Sequence, residues 1–285
     1  MGKKLIALVV VVVVFTILAA AGYMASSALE TEEITFSTEN PGGSGRGSGG
    51  FSEQTITVAH ISDLHYPKNR IALEEIFSVI ENSKADFSVL TGDIIDGDAD
   101  KNNIENLIPF FKRLNSICPS FLVIGNHEIG NKYLDNFVSV AKSYGTTVLL
   151  NEVASVRKNG FNLAFIGLKD AASISEKMSG YDEIPKADCK ILLAHRPEKF
   201  DSYVSVETDV RPDIIFAGHA HGGLIRIGRS ALYSPDQGLF PKYTSGKYTN
   251  GKTAMIVSRG LGVSGIDYRF FNKYHIPIVR ITITK

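Results

Sequence analysis

Short apolar runs alternate with amphipathic helical patterns between residues 55 and 150. The runs at 56–61, 86–90 and 120–124 predict three buried strands, and the segments between them carry apolar residues at helical spacing. A polar motif follows each of these runs. Strand, polar motif and helix in this repeated order indicate a βαβαβ core with parallel strands, in which ligands bind beyond the carboxyl ends of the strands.

The second half of the chain continues with strand-like patterns. Closely spaced runs at 147–150, 153–157 and 162–166 indicate a partly antiparallel arrangement, and further runs follow as far as residue 284. One helix is expected in the insert at 172–178. We therefore predict an α/β protein with a second sheet packed on the first.

The first 29 residues carry a different pattern. Lys3 and Lys4 precede 21 uncharged residues, Leu5 to Ala25, which as a helix are long enough to cross a bilayer core of about 30 Å. This run is longer than the apolar core of a signal peptide, which favours an uncleaved transmembrane anchor and leaves a cleaved, secreted form as the alternative. The lysines place the N-terminus in the cytoplasm, so we expect a single-pass membrane protein with an extracytoplasmic domain.

Residues 30–54 are predicted to be a flexible linker. The run at 41–50 is rich in glycine and serine and has no apolar side chain to bury. A glycine-rich loop that binds phosphate needs a strand before it and a helix after it, and neither is predicted here. We expect the globular domain to occupy residues 55–285.

Composition narrows the class of protein. The chain has 30 Lys and Arg against 30 Asp and Glu, so its charge gives no indication of a nucleic-acid partner. A hydrophobic content of 44% suits one domain with an ordinary core. Cys118 and Cys189 stand in strand-like contexts, and two cysteines are too few for a disulfide framework or a cysteine-rich zinc site.

Five of the seven histidines stand at or just past the end of a predicted strand. The polar residues at these ends are Asp63, His65, Asp93, Asn126, His127, His195, His219 and His221. Nitrogen and oxygen donors without a thiolate suit Zn, Mn or Fe. Two metal ions that share a carboxylate, about 3.5 to 4 Å apart, can bind the attacking and leaving oxygens of a phosphoryl transfer, so the set indicates a dinuclear hydrolase.

The pair His219 and His221 is ambiguous by itself. Side chains of an extended chain repeat every second residue, so both imidazoles face the same side of the backbone. The pair could hold one metal ion or straddle two.

Together the strand-end residues fall into five blocks. The blocks are Asp63-x-His65, Gly92-Asp93-x-x-Asp96, Gly125-Asn126-His127-Glu128, His195 and Gly218-His219-x-His221. In order and spacing they resemble the signature of the calcineurin-like metallophosphoesterase superfamily, over residues 56 to 285. The resemblance implies a two-sheet β-sandwich flanked by helices, with a dinuclear metal centre between the sheets.

The resemblance also implies a role for each residue. It places Asp63, His65 and His221 on the first metal ion and Asn126, His195 and His219 on the second, which resolves the ambiguity of the histidine pair. Asp93 would bridge the two ions, and a bridging hydroxide would attack phosphorus. His127 matches the catalytic histidine that stabilises the transition state or protonates the leaving oxygen without binding metal.

Departures from other members of the superfamily narrow the branch. Asp96 stands where purple acid phosphatases have an iron-binding tyrosine, and Gly97 stands where protein serine/threonine phosphatases have a phosphate-binding arginine. The blocks at 218–223 and 260–262 look more like the bacterial branch of membrane-attached or exported envelope phosphodiesterases. Asp96 is expected to orient a loop, and Arg196 is expected to be a solvated surface charge.

We therefore predict a phosphodiesterase-type hydrolase that uses two divalent metal ions, Mn, Zn or Fe, at the outer face of the membrane. Phosphodiester, phosphomonoester and pyrophosphate bonds all fit the chemistry, and a lipid or envelope phosphodiester fits the location. The alternative is a catalytically inactive, membrane-tethered binding module of the same fold. Catalysis is favoured because every metal position holds a residue that can bind metal.

Overall fold

The computed structural model describes residues 2–39, 53–228, 230–234, 237–263 and 269–284, without the side chains at 15, 18, 19 and 23. The glycine-rich run at 41–50, which the linker prediction rests on, lies outside these residues.

The described elements follow one another in this order. The strands are β1 Leu29–Glu39, β2 Glu53–Ile61, β3 Phe87–Thr91, β4 Ser120–Val123, β5 Thr147–Val148, β6 Glu152–Lys158, β7 Phe161–Gly167, β8 Cys189–Leu193, β9 Ile214–Ala217, β10 Ile225–Ile227, β11 Ser230–Ser234, β12 Gly238–Leu239, β13 Gly246–Asn250, β14 Thr253–Val257 and β15 Tyr274–Thr284. The helices are α1 Gly2–Ser26, α2 Leu73–Ser83, α3 Lys101–Glu105, α4 Ile108–Ile117, α5 Asn126–Gly130, α6 Leu134–Ser143 and α7 Phe200–Val204, with 3₁₀ helices at Tyr181–Lys186 and Pro197–Lys199.

The first sheet has the strand order β1-β15-β2-β3-β4-β5. Strands β2 to β5 are parallel, and helices α2, α4 and α6 lie between them in the chain. Strand β15 returns antiparallel to β2. The predicted βαβαβ core is confirmed, and it brings the carboxyl ends of β2, β3 and β4 to one edge of this sheet.

The second sheet has the order β13-β14-β9-β8-β7-β6. Its four central strands, β14, β9, β8 and β7, are parallel, whereas β13 and β6 pair antiparallel at the two edges. The expected second sheet is confirmed, together with its partly antiparallel character. A separate three-stranded sheet, β10-β11-β12, follows β9.

The main core lies between the two six-stranded sheets. Apolar side chains from the inner faces of β2, β3 and β4 pack against those of β7, β8 and β9 in one buried cluster. The rings of Phe121 on β4 and Phe165 on β7 stack at a centroid distance of 3.9 Å. Helices α2, α4 and α6 cover the outer face of the first sheet, where Ile76, Phe110 and Phe137 are buried. Packing of this kind fixes the two sheets against each other and so fixes the strand ends.

Two segments differ from the sequence-based expectation. Residues 30–39, placed in the linker, belong to β1, which pairs in parallel with β15 along its whole length. The strand is held because Ile34 and Phe36 are buried in the core between the sheets. The helix expected at 172–178 is absent, and a turn forms instead, in which Ser175 accepts backbone N–H bonds from Met178 and Lys177. Serine favours such local bonds over helix.

Helix α1 contains the long apolar run of the N-terminus. Its described apolar side chains stand out from the protein, with 62% of Leu5, 64% of Val11 and 72% of Met24 exposed. Among the residues that the structure describes, no helix is both long and apolar enough to cross a membrane, so the predicted transmembrane segment gains no support here.

Candidate metal centre

The residues predicted as ligands converge at one edge of the sandwich. Each follows the carboxyl end of a strand: Asp63 and His65 after β2, Asp93 after β3, Asn126 and His127 after β4, His195 after β8, and His219 and His221 after β9. Parallel strands end at the same edge of their sheet, and the packing of the two sheets brings both edges together. The structure therefore gathers all eight residues in one place.

Five of these residues have a left-handed backbone. They are Asp63 at φ 49°, His65 at 50°, Asp93 at 52°, His219 at 64° and His221 at 49°. Residues with a Cβ rarely adopt this conformation, because the side chain crowds the neighbouring carbonyl. Strained residues cost about 1–3 kcal/mol each and cluster at functional sites. This strained backbone conformation turns the five side chains toward one another.

Asp63, His65 and His221 form the first group of potential ligands. Nε2 of His221 lies 3.1 Å from Nε2 of His65 and 3.6 Å from Oδ1 of Asp63. The backbone N–H of His219 donates to both oxygens of the Asp63 carboxylate, at 3.0 and 3.1 Å. Gly218 makes this approach possible, since a Cβ there would collide with Ser62 and with Asp63 itself. The group is buried, with Asp63 and His65 fully enclosed.

Asp93, His195 and His219 form the second group, with Asn126 beside it. Nε2 of His195 lies 3.2 Å from Oδ2 of Asp93, 3.2 Å from Oδ1 of Asn126 and 3.1 Å from Nδ1 of His219. The same Oδ2 of Asp93 lies 3.9 Å from Nε2 of His65 in the first group. One carboxylate oxygen thus stands between the two groups, as a bridging ligand would.

The donor atoms fit metal ions in type and in spacing. Two nitrogens bound to one ion at about 2.0–2.1 Å lie roughly 3 to 3.4 Å apart at ordinary coordination angles. The two nitrogen pairs, His65 with His221 and His195 with His219, are each separated by 3.1 Å. The set contains nitrogen and oxygen donors without a thiolate, which suits Zn, Mn or Fe. The described residues can therefore hold a metal ion in each group.

The outer nitrogens of two rings face acceptors. Nδ1 of His195 donates to the carbonyl oxygen of Thr91 at 2.7 Å, whereas Nδ1 of His65 lies 3.4 Å from Oδ2 of Asp96, an ion-pair distance without hydrogen-bond geometry. An acceptor at Nδ1 keeps the proton there and leaves the Nε2 lone pair directed into the site, as in known carboxylate–histidine–metal arrangements. Asp96, predicted only to orient a loop, thus lies against a ligand.

The outer nitrogens of the other two rings face arginines instead. Nη1 of Arg196 lies 3.0 Å from Nε2 of His219, and Nη2 of Arg269 lies 3.2 Å from Nδ1 of His221. Arginine only donates, so each ring accepts at its outer nitrogen. The same two guanidinium groups also donate to the carboxylate of Asp170 and to the carbonyl oxygen of Gly262, which fixes their positions beside the rings.

The prediction of Arg196 as a solvated surface charge is wrong. Its side chain is only 22% exposed, and its guanidinium donates to both carboxylate oxygens of Asp170, at 2.7 and 3.2 Å. Sequence reasoning missed Arg269 altogether, because it lies in a segment without a motif and reaches the site only through the fold. The spacing of residues along the sequence does not predict the position of either arginine.

Burial and charge set the protonation of the site. Burial alone would raise the pKa of Asp93, but the neighbouring His195 outweighs it and holds the pKa well below its usual range. Burial would lower the pKa of His195, yet Asp93 and Asp63 raise it to about 10. Burial and the charge of His195 lower the pKa of His219 to about 3, and burial and His65 lower the pKa of His221 well below its usual value. A metal ion must therefore displace a proton from His195.

His127 stands beside both groups. The backbone N–H of His127 donates to Oδ1 of Asp93 at 2.9 Å, and its Nδ1 accepts the backbone N–H of Gly97 at 2.9 Å. A neutral ring that accepts at Nδ1 carries its proton on Nε2. The side chain is 22% exposed. His127 can therefore present an N–H to a bound molecule, which suits a donor better than a metal ligand.

Glu128 is a further site residue, to which the sequence reasoning gave no role. Its buried carboxylate accepts backbone N–H groups from Asp93, Ile94, Ile95 and Gly125, at 2.5 to 2.9 Å. Burial raises the pKa of Glu128 to about 7, and the charge of Asp93 adds to this effect. The position of Glu128 directly after His127 in its block was the only available signal. Glu128 ties the turn after β3 to the start of α5.

Comparison with known proteins agrees with this geometry. The sequence profile of the calcineurin-like phosphoesterase family matches residues 56–223, which is more than half of the chain and covers all eight predicted site residues. The chain belongs to the calcineurin-like phosphoesterase family. Membership in this family confirms the resemblance stated from the five blocks.

Individual relatives extend the similarity beyond the profile. The chain is 30% identical over 284 residues to a metallophosphoesterase of Aquifex aeolicus (strain VF5), with 93% of this chain and 96% of the relative covered. It is 25% identical over 215 residues to phosphodiesterase YaeI of Escherichia coli (strain K12), with 72% of this chain and 74% of the relative covered.

A solved structure supports the fold. NAD nucleotidase (NadN) of Haemophilus influenzae matches with a TM-score of 0.51 at 16% identity, over 82% of this chain. The match spans about half of that longer protein, 49% of its chain. At this identity the likeness concerns the fold alone.

Proposed function

We propose that this phosphoesterase family member is a dinuclear enzyme that hydrolyses phosphodiesters. The observation that carries the proposal is the position of Asp93, whose Oδ2 faces His195 of one ligand group at 3.2 Å and His65 of the other at 3.9 Å. A carboxylate shared in this way supports two ions held close together, as phosphoryl transfer requires.

The side chains around the two groups have separate roles in this proposal. Two bound metal ions would supply the hydrolytic nucleophile and neutralise charge on the phosphate. Asp93 and the backbone bond from His127 keep the two groups in register. His127 directs its Nε2–H at the leaving oxygen and donates a hydrogen bond that stabilises the negative charge developing there as the ester bond breaks, a contribution of typically about 10²- to 10³-fold.

A phosphodiester is the preferred substrate type among the possible esters. The name of the relative YaeI is that of a phosphodiesterase, and the similarity covers 72% of this chain. Phosphomonoesters and pyrophosphates remain the competing substrates of the same chemistry. The competing function is an inactive binding module, which would keep the fold and the ligand groups but lack turnover.

Hydrolysis by the full-length chain tests this proposal. Bis-p-nitrophenyl phosphate serves as the diester and p-nitrophenyl phosphate as the monoester, each with Mn²⁺, Zn²⁺ or Fe²⁺ after removal of metal with a chelator. We expect metal-dependent turnover, faster on the diester. An exposed-residue variant, Asp182→Ala, should retain the rate. A rate no higher than that of the buffer with every ion would favour the binding module.

The location of the enzyme is part of the proposal. The two lysines and the long apolar run support an anchor with the domain outside the cytoplasm. Fractionation of cells that carry a C-terminally tagged chain, with protease added from outside, tests this. We expect a membrane-bound tag that external protease removes. A protein in the medium that lacks its first residues would instead indicate a cleaved signal.

A further inference from the structure

The three-stranded sheet β10-β11-β12 begins directly beyond the loop that carries His219 and His221. Ile225 on β10 pairs with Tyr233 on β11, and Tyr233 pairs with Leu239 on β12. Directly paired residues of antiparallel strands point to the same face of a sheet. The three side chains therefore form one row, and they are 38%, 39% and 73% exposed. This row is an apolar face that no described element covers completely.

Neighbouring residues enlarge the apolar face. Ile227, two residues beyond Ile225 on β10, is 68% exposed, and Phe240, directly after β12, is 77% exposed. Among the described residues outside α1, the large apolar side chains that are exposed are Ile129 and the six at Ile225, Ile227, Tyr233, Leu239, Phe240 and Phe271. Single exposed apolar residues are ordinary, but a concentration of this kind marks an interaction surface. Phe271 lines a polar pocket beside Arg226, and we call the other five residues, Ile225, Ile227, Tyr233, Leu239 and Phe240, the apolar sheet face.

The apolar sheet face lies next to the C-terminal end of α1. Phe270 exchanges backbone bonds with Leu224 and Arg226 at 3.0 Å, which ties it to β10. The backbone N–H of Phe271 donates to the carbonyl oxygen of Gly22 at 3.3 Å, and the Phe270 ring packs against Gly22. The exposed apolar surface of α1 and that of the sheet are therefore adjacent.

We propose that the apolar sheet face docks on the surface of a lipid bilayer, beside α1. Continuity with the exposed apolar side chains of α1 is the first reason. The second is the composition of the face, in which Tyr233 combines an apolar ring with a polar hydroxyl, a type enriched at the membrane interface. The third is Lys242, 69% exposed and two residues beyond Phe240, whose ammonium lies 3.6 Å from the exposed carboxylate of Asp201; an exposed ion pair of this kind contributes little, so a lipid phosphate can replace Asp201 as the partner.

Docking in this orientation brings the metal centre to the headgroup level. His221 precedes Ile225 by only four residues, and the side of the sheet opposite the apolar face is buried at Arg226 and Ala231. The identity of the substrate rests on the proposed hydrolase function. With that function, the substrate is an amphiphilic phosphate ester that stays in the membrane during the reaction. The docking itself does not depend on turnover.

Tryptophan fluorescence tests the docking without any measure of activity. The chain contains no tryptophan, so Phe240→Trp introduces one reporter on the face. The full-length variant is reconstituted into phosphatidylcholine–phosphatidylglycerol vesicles, with or without bromine on the acyl chains. Bromine quenches tryptophan at contact, and a face that enters the bilayer boundary by about 5–10 Å should lose about half of its emission.

Two further variants complete the test. Leu239→Trp repeats the measurement if Phe240→Trp misfolds. Arg157→Trp is the control, because exposed Arg157 lies on β6 beside the hairpin that leads into the start of β7, at the opposite end of the second sheet from the metal centre. Its emission should be the same in both vesicles.

Two outcomes would overturn the proposal. Equal emission from Phe240→Trp or Leu239→Trp with and without bromine would show that the face stays in water. Protection of these reporters from acrylamide, without quenching by bromine, would show that a second copy of the chain or another protein covers the face instead of lipid.

Discussion

The carboxylate of Glu128 accepts the backbone N–H of Asp93 at 2.8 Å, and through this bond the start of α5 fixes the turn that carries Asp93, the proposed bridging ligand. Asp93 has a left-handed backbone, with φ at 52°. Such a turn persists only when its surroundings determine it. Glu128 accepts the N–H groups of Asp93, Ile94 and Ile95 in this turn and that of Gly125 before α5. It therefore positions Asp93 without contact to the carboxylate oxygens of Asp93.

Replacement of Glu128 by Gln should weaken metal binding. The amide group directs N–H donors at backbone N–H groups that now donate to Glu128, so at least one of the bonds to Asp93 or Gly125 is lost. Loss of a group that orients a ligand typically lowers metal affinity about 10- to 100-fold. Calorimetric titration of the chelator-treated chain with Mn²⁺ measures this. The control is Glu74→Gln, at an exposed position of α2. Equal affinities in the two variants would contradict the positioning role.

Asp93 and His127 should differ in their effect on metal content. Asp93 faces both ligand groups, so Asp93→Ala should lose metal and activity together. His127 accepts at Nδ1 and presents Nε2–H as a hydrogen-bond donor, so His127→Ala should keep its metal while turnover falls by about 10²- to 10³-fold. Metal content by atomic emission, measured beside the rate, separates the two. Equal loss of metal in both variants would refute this division of roles.

Strand β1 should stabilise the domain although it precedes the family-profile match. Ile34 and Phe36 are 7% exposed, and burial of each such side chain contributes roughly 1.5–3 kcal/mol. A chain that begins at Thr55 should therefore unfold at lower urea concentration than one that begins at Ala28, by about 3 kcal/mol or more in the free energy of unfolding. The two chains differ in β1, in residues 40–52 and in the first two residues of β2, Glu53 and Gln54. Equal stabilities would show that β1 is dispensable.

His60 should make stability depend on pH below neutrality. It is fully buried, its Nε2 lies 2.8 Å from Oγ1 of Thr91, and burial with the nearby His275 lowers its pKa from 6.5 to about 3. The unfolded chain takes up a proton below pH 6.5, whereas the folded chain does so only near pH 3. The stabilisation is thus complete above pH 6.5 and declines as pH falls toward 3.

His60→Gln removes this titration and keeps a polar group for Thr91. Between pH 7.5 and 5.0 the native chain should lose about 2 kcal/mol more of its unfolding free energy than the variant, because each pKa unit of difference corresponds to about 1.4 kcal/mol. Urea unfolding in the presence of a chelator at both pH values measures the difference. Parallel losses in the two proteins would contradict the assignment.

The sequence predicts the βαβαβ core and the gathering of the ligands because both depend on local pattern. Buried strands produce continuous apolar runs, and parallel strands place their carboxyl ends at one edge, so Asp63 and Asp93 can be expected together. Strand β1 could not be predicted in the same way. Its polar residues alternate with Ile34 and Phe36, and only its pairing with β15, more than two hundred residues later, reveals it.

Contacts that cross between elements explain the remaining differences. Arg196 follows a ligand in the sequence, yet its position against His219 depends on how β8 and β9 end relative to each other. Arg269 reaches His221 from a segment that carries no motif. In the insert at 172–178, helical apolar spacing was outweighed by the serine-based turn.

The central claim, a dinuclear hydrolase, is tested most directly by metal content and hydrolysis measured on the same sample. Full-length chain stripped by chelator is titrated with Mn²⁺, and bound metal and the rate on bis-p-nitrophenyl phosphate are recorded at each step. We predict no hydrolysis without metal and a maximal rate when two ions are bound per chain. A chain that binds two ions and hydrolyses neither the diester nor the monoester, or one that reaches its full rate without metal, would contradict this account.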